Sequence, residues 1–255
     1  VNSRVMKKIK ENGVTGQGLP AYGTAVLVNI INENGVLPTN NFQFGSFAKA
    51  DEISGETLAA KYLKKKDPCY GCPIACGRYT EVDDIKGGGP EYETIWAFGS
   101  DCGVDSLADI IKANYWCNEY GLDTISVGAT LAAAMELYQK GLVKKSDFGD
   151  GPVLEFGNAR AIVEWTKRTG ASDGFGEKLA MGSYRLCDAY GVPELSMSVK
   201  KQELPAYDPR GIQGHGLQYA TSNRGGCHVR GYMISPEILG LPEKLDRFDL
   251  NGKPL

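Results

Sequence analysis

Along most of the chain, apolar residues recur every three to four positions, the spacing of helices with one buried face. Residues 23–33 carry this pattern and stop near Asn34-Gly35. Residues 36–53 lose it and read as loop. Ser54 is placed to cap a helix over 55–65, which Pro68 prevents from continuing. Lys86-Gly87-Gly88-Gly89-Pro90 is a breaker, and a helix is expected from near Glu91 to about Ser100. The clearest stretch follows. Ser106 is a natural N-cap for 107–120, and Gly121 suits the left-handed position that closes a helix. Asp123 or Thr124 caps the next helix, which runs through Ala132-Ala133-Ala134 to Lys140, with Gly141 after it. Helices at 158–169 and 176–190 end at Gly170 and Gly191. Strand patterning is weak, with the alternation over Arg78–Val82 its best instance.

The pattern changes near residue 195. Pro205, Pro209 and six glycines between 211 and 231 make the following stretch irregular and loop-rich. The expected fold class is all-α, in two mostly helical domains with a boundary at 195–205. The first covers 1–198; the second begins at 199, runs to 255 and is incomplete. No internal repeat or low-complexity tract is present.

Composition narrows the function classes. A chain of 255 residues, 42% hydrophobic and 23% charged, has apolar material for a large core. A formal charge of -3 gives no overall signal for nucleic acid or an acidic membrane surface. No apolar run approaches the roughly 18–20 residues that span a bilayer. The first residues, Val1-Asn2-Ser3-Arg4-Val5-Met6-Lys7-Lys8, lack the apolar core of a signal peptide and start in what reads as a helix. The expectation is a cytoplasmic protein of which this chain is an internal piece.

Cysteine placement points to chemistry. Of seven cysteines, Cys69, Cys72 and Cys76 crowd into eight residues as C-x2-C-x3-C, while Cys102, Cys117, Cys187 and Cys227 are scattered. Crowding in a chain without secretory features favours metal over disulfides. Three thiolates in one turn suit a four-iron cluster or a structural zinc, either of which needs a further ligand. The spacing alone does not choose between them. Glu91 and Glu93 stand at the start of a predicted helix, where acids also simply complement the helix dipole. The only histidines are His215 and His228. His228 lies in Thr221-Ser222-Asn223-Arg224-Gly225-Gly226-Cys227-His228-Val229-Arg230, where glycines permit close backbone approach to a ligand and arginine suits anionic or planar groups. The glycines of Gly211-Ile212-Gln213-Gly214-His215-Gly216 follow no strand and carry little weight as a nucleotide motif.

Several blocks together resemble the aldehyde:ferredoxin oxidoreductase family. Asp67-Pro68-Cys69-Tyr70-Gly71-Cys72-Pro73-Ile74-Ala75-Cys76 is similar to its cluster-binding loop, and Gly89-Pro90-Glu91-Tyr92-Glu93-Thr94 to its next block. Asn118-Glu119-Tyr120-Gly121-Leu122-Asp123 resembles its first pterin motif, written D-x-x-G-L-D. Pro205-Ala206-Tyr207-Asp208-Pro209-Arg210-Gly211 and the stretch Ala220 to His228 resemble the start of its third domain. The blocks follow family order over nearly the whole chain.

The resemblance implies two helical domains lining a channel to tungsten, or molybdenum, held by two pterin dithiolenes beside a 4Fe-4S cluster. By residue match, Cys69, Cys72 and Cys76 are cluster ligands, and Asn118 and Asp123 belong to the pterin motif. Glu93 matches an acid near the metal and His228 a histidine in the same pocket. The implied reaction oxidises a small aldehyde to a carboxylic acid and passes electrons through the cluster to ferredoxin, with Glu93 as general base and His228 on the carbonyl oxygen. There are departures. The first acid of the pterin motif is Asn118 here. The family's fourth cluster cysteine falls beyond Leu255, and its N-terminal pterin-bearing domain is missing, so the isolated chain is expected to be inactive. The E-x-x-H pair with which some members bridge subunits is absent. Within the family the rival is a low-potential reductase with the same cofactors; outside it, a zinc-stapled helical interaction module.

Overall fold

The structure, a computed structural model, describes residues 2–240. It is mostly helical. The chain begins with α1 (Asn2–Glu11), α2 (Leu19–Tyr22), α3 (Leu27–Glu33) and α4 (Gly55–Lys61). An antiparallel sheet follows, with β1 (Leu63–Lys66), β2 (Arg78–Val82) and β3 (Ile85–Gly88) in that spatial order. Next come α5 (Tyr92–Phe98), α6 (Leu107–Tyr120), α7 (Thr124–Gln139), α8 (Ala159–Ala171), α9 (Phe175–Leu179) and α10 (Ser183–Ala189). A hairpin of β4 (Ser198–Val199) and β5 (Gln202–Glu203) leads to α11 (Gln213–Thr221) and α12 (Ile234–Glu237).

α7 is the axis of the fold. Every residue from Val127 to Leu137 is buried, as in a helix surrounded on all sides. Its small residues let α5 come close. A Cβ added at Gly128 would lie 2.5 Å from the Ala97 Cβ and 2.9 Å from its carbonyl oxygen. One turn earlier the Thr94 and Thr124 hydroxyls bond at 2.8 Å. Both contacts advance in the same direction, so α5 and α7 run parallel with their N-terminal ends together.

The helix ends follow the chain's own punctuation. The Ser106 hydroxyl caps α6, and Gly121 closes it at φ 66°, with Leu122 N–H donating to the Cys117 carbonyl at 2.8 Å. The Asp123 carboxylate caps α7 by accepting from the Ser126 N–H at 2.8 Å. One continuous buried cluster reaches from Ala25 to Ile234 and includes Leu204, Ala206, Tyr207 and Tyr219. In it Phe148 packs among Tyr138, Trp165 and Phe175. Asn40, Asn41 and Phe42 form a left-handed run at φ 52°, 51° and 61°. It is held by Asn40 and Asn41 N–H bonds to the Ser100 and Asp101 carbonyls and by Arg210, which donates to the Phe42 carbonyl at 2.7 Å.

Several expectations change. The all-α class holds only as a helical majority, because two small sheets are present. The helix after Ser54 ends at Lys61, not at 65: residues 63–66 leave it to pair with β2. The glycine run does not interrupt structure from residue 86 onward, since Lys86, Gly87 and Gly88 complete β3 against Glu81, Thr80 and Tyr79. Gly170 lies inside α8, which ends at Ser172 in the left-handed conformation. The predicted helix 176–190 is two helices, divided where Gly182 takes φ 82°. The loop-rich stretch after 195 contains α11. Residues 241–255 of the expected second domain lie outside the described residues.

The α5–α7 contact yields a test. In a solvent-facing helix, glycine to alanine gains up to about 1 kcal/mol. Gly128→Ala should instead lose about 1–3 kcal/mol through overpacking against Ala97, seen as a lower urea midpoint at unchanged slope.

Candidate functional site

The chain turns into α5 where strand β3 ends. A Cβ at Gly89 would lie 2.7 Å from the Thr80 side chain, so glycine is required for this approach. Glu91 occupies the N-cap of α5, but Thr24 does the capping: its hydroxyl accepts from the Tyr92 N–H at 2.8 Å and donates to the Glu91 carboxylate. The next acid, Glu93, turns inward. Its Oε2 accepts from the Ala206 N–H at 2.9 Å, while the Tyr92 hydroxyl donates to the Ala206 carbonyl at 2.9 Å. One residue of the 199–240 segment, Ala206, is therefore held through both its N–H and its carbonyl by two consecutive residues of α5.

Glu93 Oε1 is enclosed and has no hydrogen-bond partner. His228 Nδ1 lies 3.8 Å from it. Both side chains line a cavity of about 390 Å³, walled by Leu27, Tyr92, Tyr207, Val229 and Tyr232. His228 also lines a neighbouring cavity of about 150 Å³ with Asp123, Ser126, Glu203 and Arg224. The N-terminal end of α7 thus faces the second cavity, favouring negative charge there.

Burial pushes the Glu93 carboxyl up to about 8, against the pull of the Ala206 N–H and with a smaller push from the Asp123 charge. Burial also pulls the His228 imidazole below its usual range; Arg224 adds to this and Asp123 opposes it. At neutral pH the pair is a protonated carboxyl beside a neutral imidazole. The other histidine is different. His215 is fully buried edge-on between Tyr207 and Tyr219 and pulled down to about 4, first by burial and then by His228. It is a neutral core residue.

The glycines before His228 permit close approach, but to the protein's own backbone. Cβ atoms at Gly225 and Gly226 would lie 2.3 Å from the Val199 carbonyl and 2.9 Å from those of Gln202 and Glu203. The β4–β5 hairpin thereby sets the height of His228. Glu203, which sequence reasoning missed, anchors that hairpin: it accepts from the Ser183 N–H (2.9 Å), the Ser183 hydroxyl (3.0 Å) and the Ser126 hydroxyl (2.9 Å). Thr24 was missed as well. Neither residue sits in a local motif, so no one-dimensional signal marks it.

Asn118 and Asp123 sit at the two ends of the α6–α7 turn, both exposed. The Asn118 carbonyl accepts from the Gly121 N–H at 3.3 Å and belongs to the helix closure. Cys69, Cys72 and Cys76 stand apart from this cavity, on the loop between β1 and β2; none is in a disulfide. Among the described residues no group of three or more His, Cys, Asp or Glu side chains is arranged to hold a metal ion. The loop nevertheless suits thiolate ligands. Gly71 and Ala75 take φ 69° and 55°, and the N–H groups of Ala75 and Ile74 bond the Cys72 sulfur and hold its thiol below the usual range. Cys102, Cys117 and Cys187 are buried, with thiols raised by burial, and are inert packing residues.

A mostly helical scaffold carries an enclosed acid–imidazole pair and, on a separate loop, three cysteines free of disulfides. The chain belongs to the aldehyde ferredoxin oxidoreductase family, whose sequence model, described as "Aldehyde ferredoxin oxidoreductase, domains 2 & 3", matches residues 1–255. The tungsten-containing aldehyde ferredoxin oxidoreductase of Pyrococcus furiosus is 57% identical over 247 residues, 96% of this chain and 41% of that protein. The enzyme of the same name from Thermococcus kodakarensis is 56% identical over 97% of this chain and 41% of its own length. The chain thus spans about two fifths of the curated relatives it matches. In fold it is similar to the active site complex BamBC of benzoyl coenzyme A reductase, with TM-score 0.66, 21% identity and coverage of 87% of this chain and 35% of that one.

The protonated Glu93 has a measurable consequence. Between about pH 4.5 and 8 the folded chain keeps a proton on Glu93 that the unfolded chain has released, so stability falls as pH rises through this window and levels off above it. Glu93→Gln should remove most of that fall, a difference on the order of a few kcal/mol. Melting temperatures from pH 5 to 9 should show the variant losing less than wild type and being the more stable at pH 9.

Proposed function

We propose that the chain forms the second domain and the start of the third domain of a tungsten-pterin enzyme that oxidises small aldehydes to carboxylic acids, with ferredoxin as electron acceptor in the cytoplasm. The domains divide at 198/199, with 1–198 carrying the cysteine loop and pterin motif. The observation that carries the reading is the enclosed, unpartnered Oε1 of Glu93, 3.8 Å from His228 Nδ1 in a largely apolar cavity. Such a carboxyl suits proton transfer near neutral pH.

The overall change converts an aldehyde and water into a carboxylic acid, two protons and two electrons. When bound, the pterin-held tungsten (or molybdenum) and a 4Fe-4S cluster supply the two-electron acceptor and the one-electron relay to ferredoxin. Glu93, once ionised, takes a proton from water or the hydrated aldehyde at Oε1, while Oε2 stays fixed on the Ala206 N–H. Neutral His228 hydrogen-bonds the carbonyl oxygen. Leu27, Tyr92 and Tyr207 exclude water and receive the apolar part of the substrate. When the cofactors are bound, Asp123 and Asn118 on the α6–α7 turn would hold the pterin, and Cys69, Cys72 and Cys76 would supply three cluster thiolates. The likeness to benzoyl coenzyme A reductase concerns fold alone and does not favour the reductase alternative.

Two measurements test this on the protein completed to the length of its relatives. Iron with labile sulfide supports the cysteine assignment; stoichiometric zinc without iron supports the zinc-stapled module instead. Turnover per bound tungsten should rise with pH toward a limb near 8 and lose that limb in Glu93→Gln, with a drop of about 10²–10⁴-fold. A near-wild-type rate per tungsten in that variant would remove Glu93 from the chemistry.

A further inference from the structure

Among the described residues Arg78 is a cation buried next to the cysteine loop with no carboxylate hydrogen-bonded to it. It is 5% exposed. Its guanidinium donates to three carbonyls: Nη1 to Ala75 (3.2 Å) and Gly77 (3.0 Å), and Nη2 to Leu19 (2.7 Å). The Nε–H is enclosed and has no partner. Among the described residues no carboxylate pairs with it; the acidic groups whose charge reaches it are first Cys76 and then Glu91, which is engaged by Thr24. Two glycines clear the space. A Cβ at Gly23 would lie 2.9 Å from the Cys76 carbonyl and 3.3 Å from Arg78 Nε, and one at Gly89 would lie 3.2 Å from the Arg78 Cβ.

An unpaired buried charge is strongly destabilising, and buried cations are found paired or facing an anionic group. Two of the three carbonyls that Arg78 holds belong to the end of the cysteine loop itself. A solvent-facing role, or a purely structural clamp, leaves the enclosed Nε–H without a counterpart. A cluster of iron and sulfide held by thiolates is an anion, and its potential responds to nearby charge and hydrogen bonds.

Resting on the cluster assignment above, we infer that Arg78 is the positioning residue of the three-cysteine loop and the fixed positive charge that raises the reduction potential of the iron–sulfur cluster bound there. Reduction adds one electron to the cluster and forms or breaks no bond at Arg78. The fixed cation stabilises the more negative, reduced state, so removing it lowers the potential.

The test uses the full-length protein, with Arg78→Gln, which keeps a donor but loses the charge, and Arg78→Lys, which keeps the charge but loses the fork. Iron and sulfide content, helicity and the midpoint potential from an EPR-monitored redox titration are measured for each. In Arg78→Gln the reduction equilibrium should shift at least tenfold toward the oxidised cluster, about 59 mV for one electron; Arg78→Lys should recover most of it. A folded Arg78→Gln protein that fails to assemble the cluster, with assembly restored in Arg78→Lys, also supports the inference. An intact cluster with an unmoved potential in Arg78→Gln overturns it. So does loss of helical structure in both variants, which would make Arg78 a structural residue only. A wild-type protein holding zinc without iron defeats the cluster assignment and this inference with it, an outcome distinct from an unmoved potential.

Discussion

The close parallel packing of α5 against α7 is the constraint on which the site depends. Gly128 meets Ala97 with no room for a methyl group, and Thr94 bonds Thr124 one turn earlier. Register and separation are therefore fixed together. That contact brings the first turn of α5, with Glu93, beside the cap of α7, with Asp123. The 199–240 segment is then tied to both helices: Ala206 to Tyr92 and Glu93, and Glu203 to Ser126. His228 reaches Glu93 only because this segment is anchored at those points. A single small-residue contact in the core thus sets the geometry of groups from three distant parts of the chain.

Much of this was legible in sequence where the information is local. Ser106, Gly121 and Asp123 act where their chemistry predicts, because capping and left-handed closure are decided within one turn. The limits of α6 and α7 follow. What was not legible depends on distant partners. Leu63, Lys64 and Lys65 read as the end of a helix, since nothing in them announces that Arg78–Val82 will pair with this stretch. The glycines at 87 and 88 read as a breaker, yet β3 uses them because Glu81, Thr80 and Tyr79 hold the register. Gly225 and Gly226 were rightly taken as sites of close approach, but the partner proved to be the β4–β5 hairpin. The spacing of the cysteines was visible at once. The buried Arg78 beside them was not, because an arginine at the start of a strand looks like any other surface residue.

The two histidines show how position separates equal chemistry. Both are partly or wholly removed from water, and both are neutral. His215 is fully buried, with Tyr207 and Tyr219 edge-on to its ring. His228 stands where two cavities meet, with Glu93 on one side and Asp123 and Arg224 on the other. The second is placed to exchange a hydrogen bond with a bound molecule. No property of the residue type distinguishes them; the hairpin that lifts residues 225–228 does.

Glu93 poses the sharper choice, because an acid in the first turn of a helix has an ordinary explanation. The helix dipole stabilises such a carboxylate by about 0.3–1 kcal/mol at an exposed site, and the Ala206 N–H adds a hydrogen bond that also favours the ionised form. Both act to keep Glu93 charged. Burial opposes them and wins, carrying the group from its ordinary 4.5 to about 8, and each unit of that shift corresponds to about 1.4 kcal/mol. A residue kept merely to complement the dipole gains nothing from being enclosed, and Glu91, one position before the helix, meets that need at the surface while bound to Thr24. Glu93 instead holds one oxygen on Ala206 and leaves the other without a donor, in a space that a second molecule can enter. The enclosure destabilises the fold at neutral and alkaline pH. That cost is consistent with a carboxyl placed for proton transfer rather than for capping.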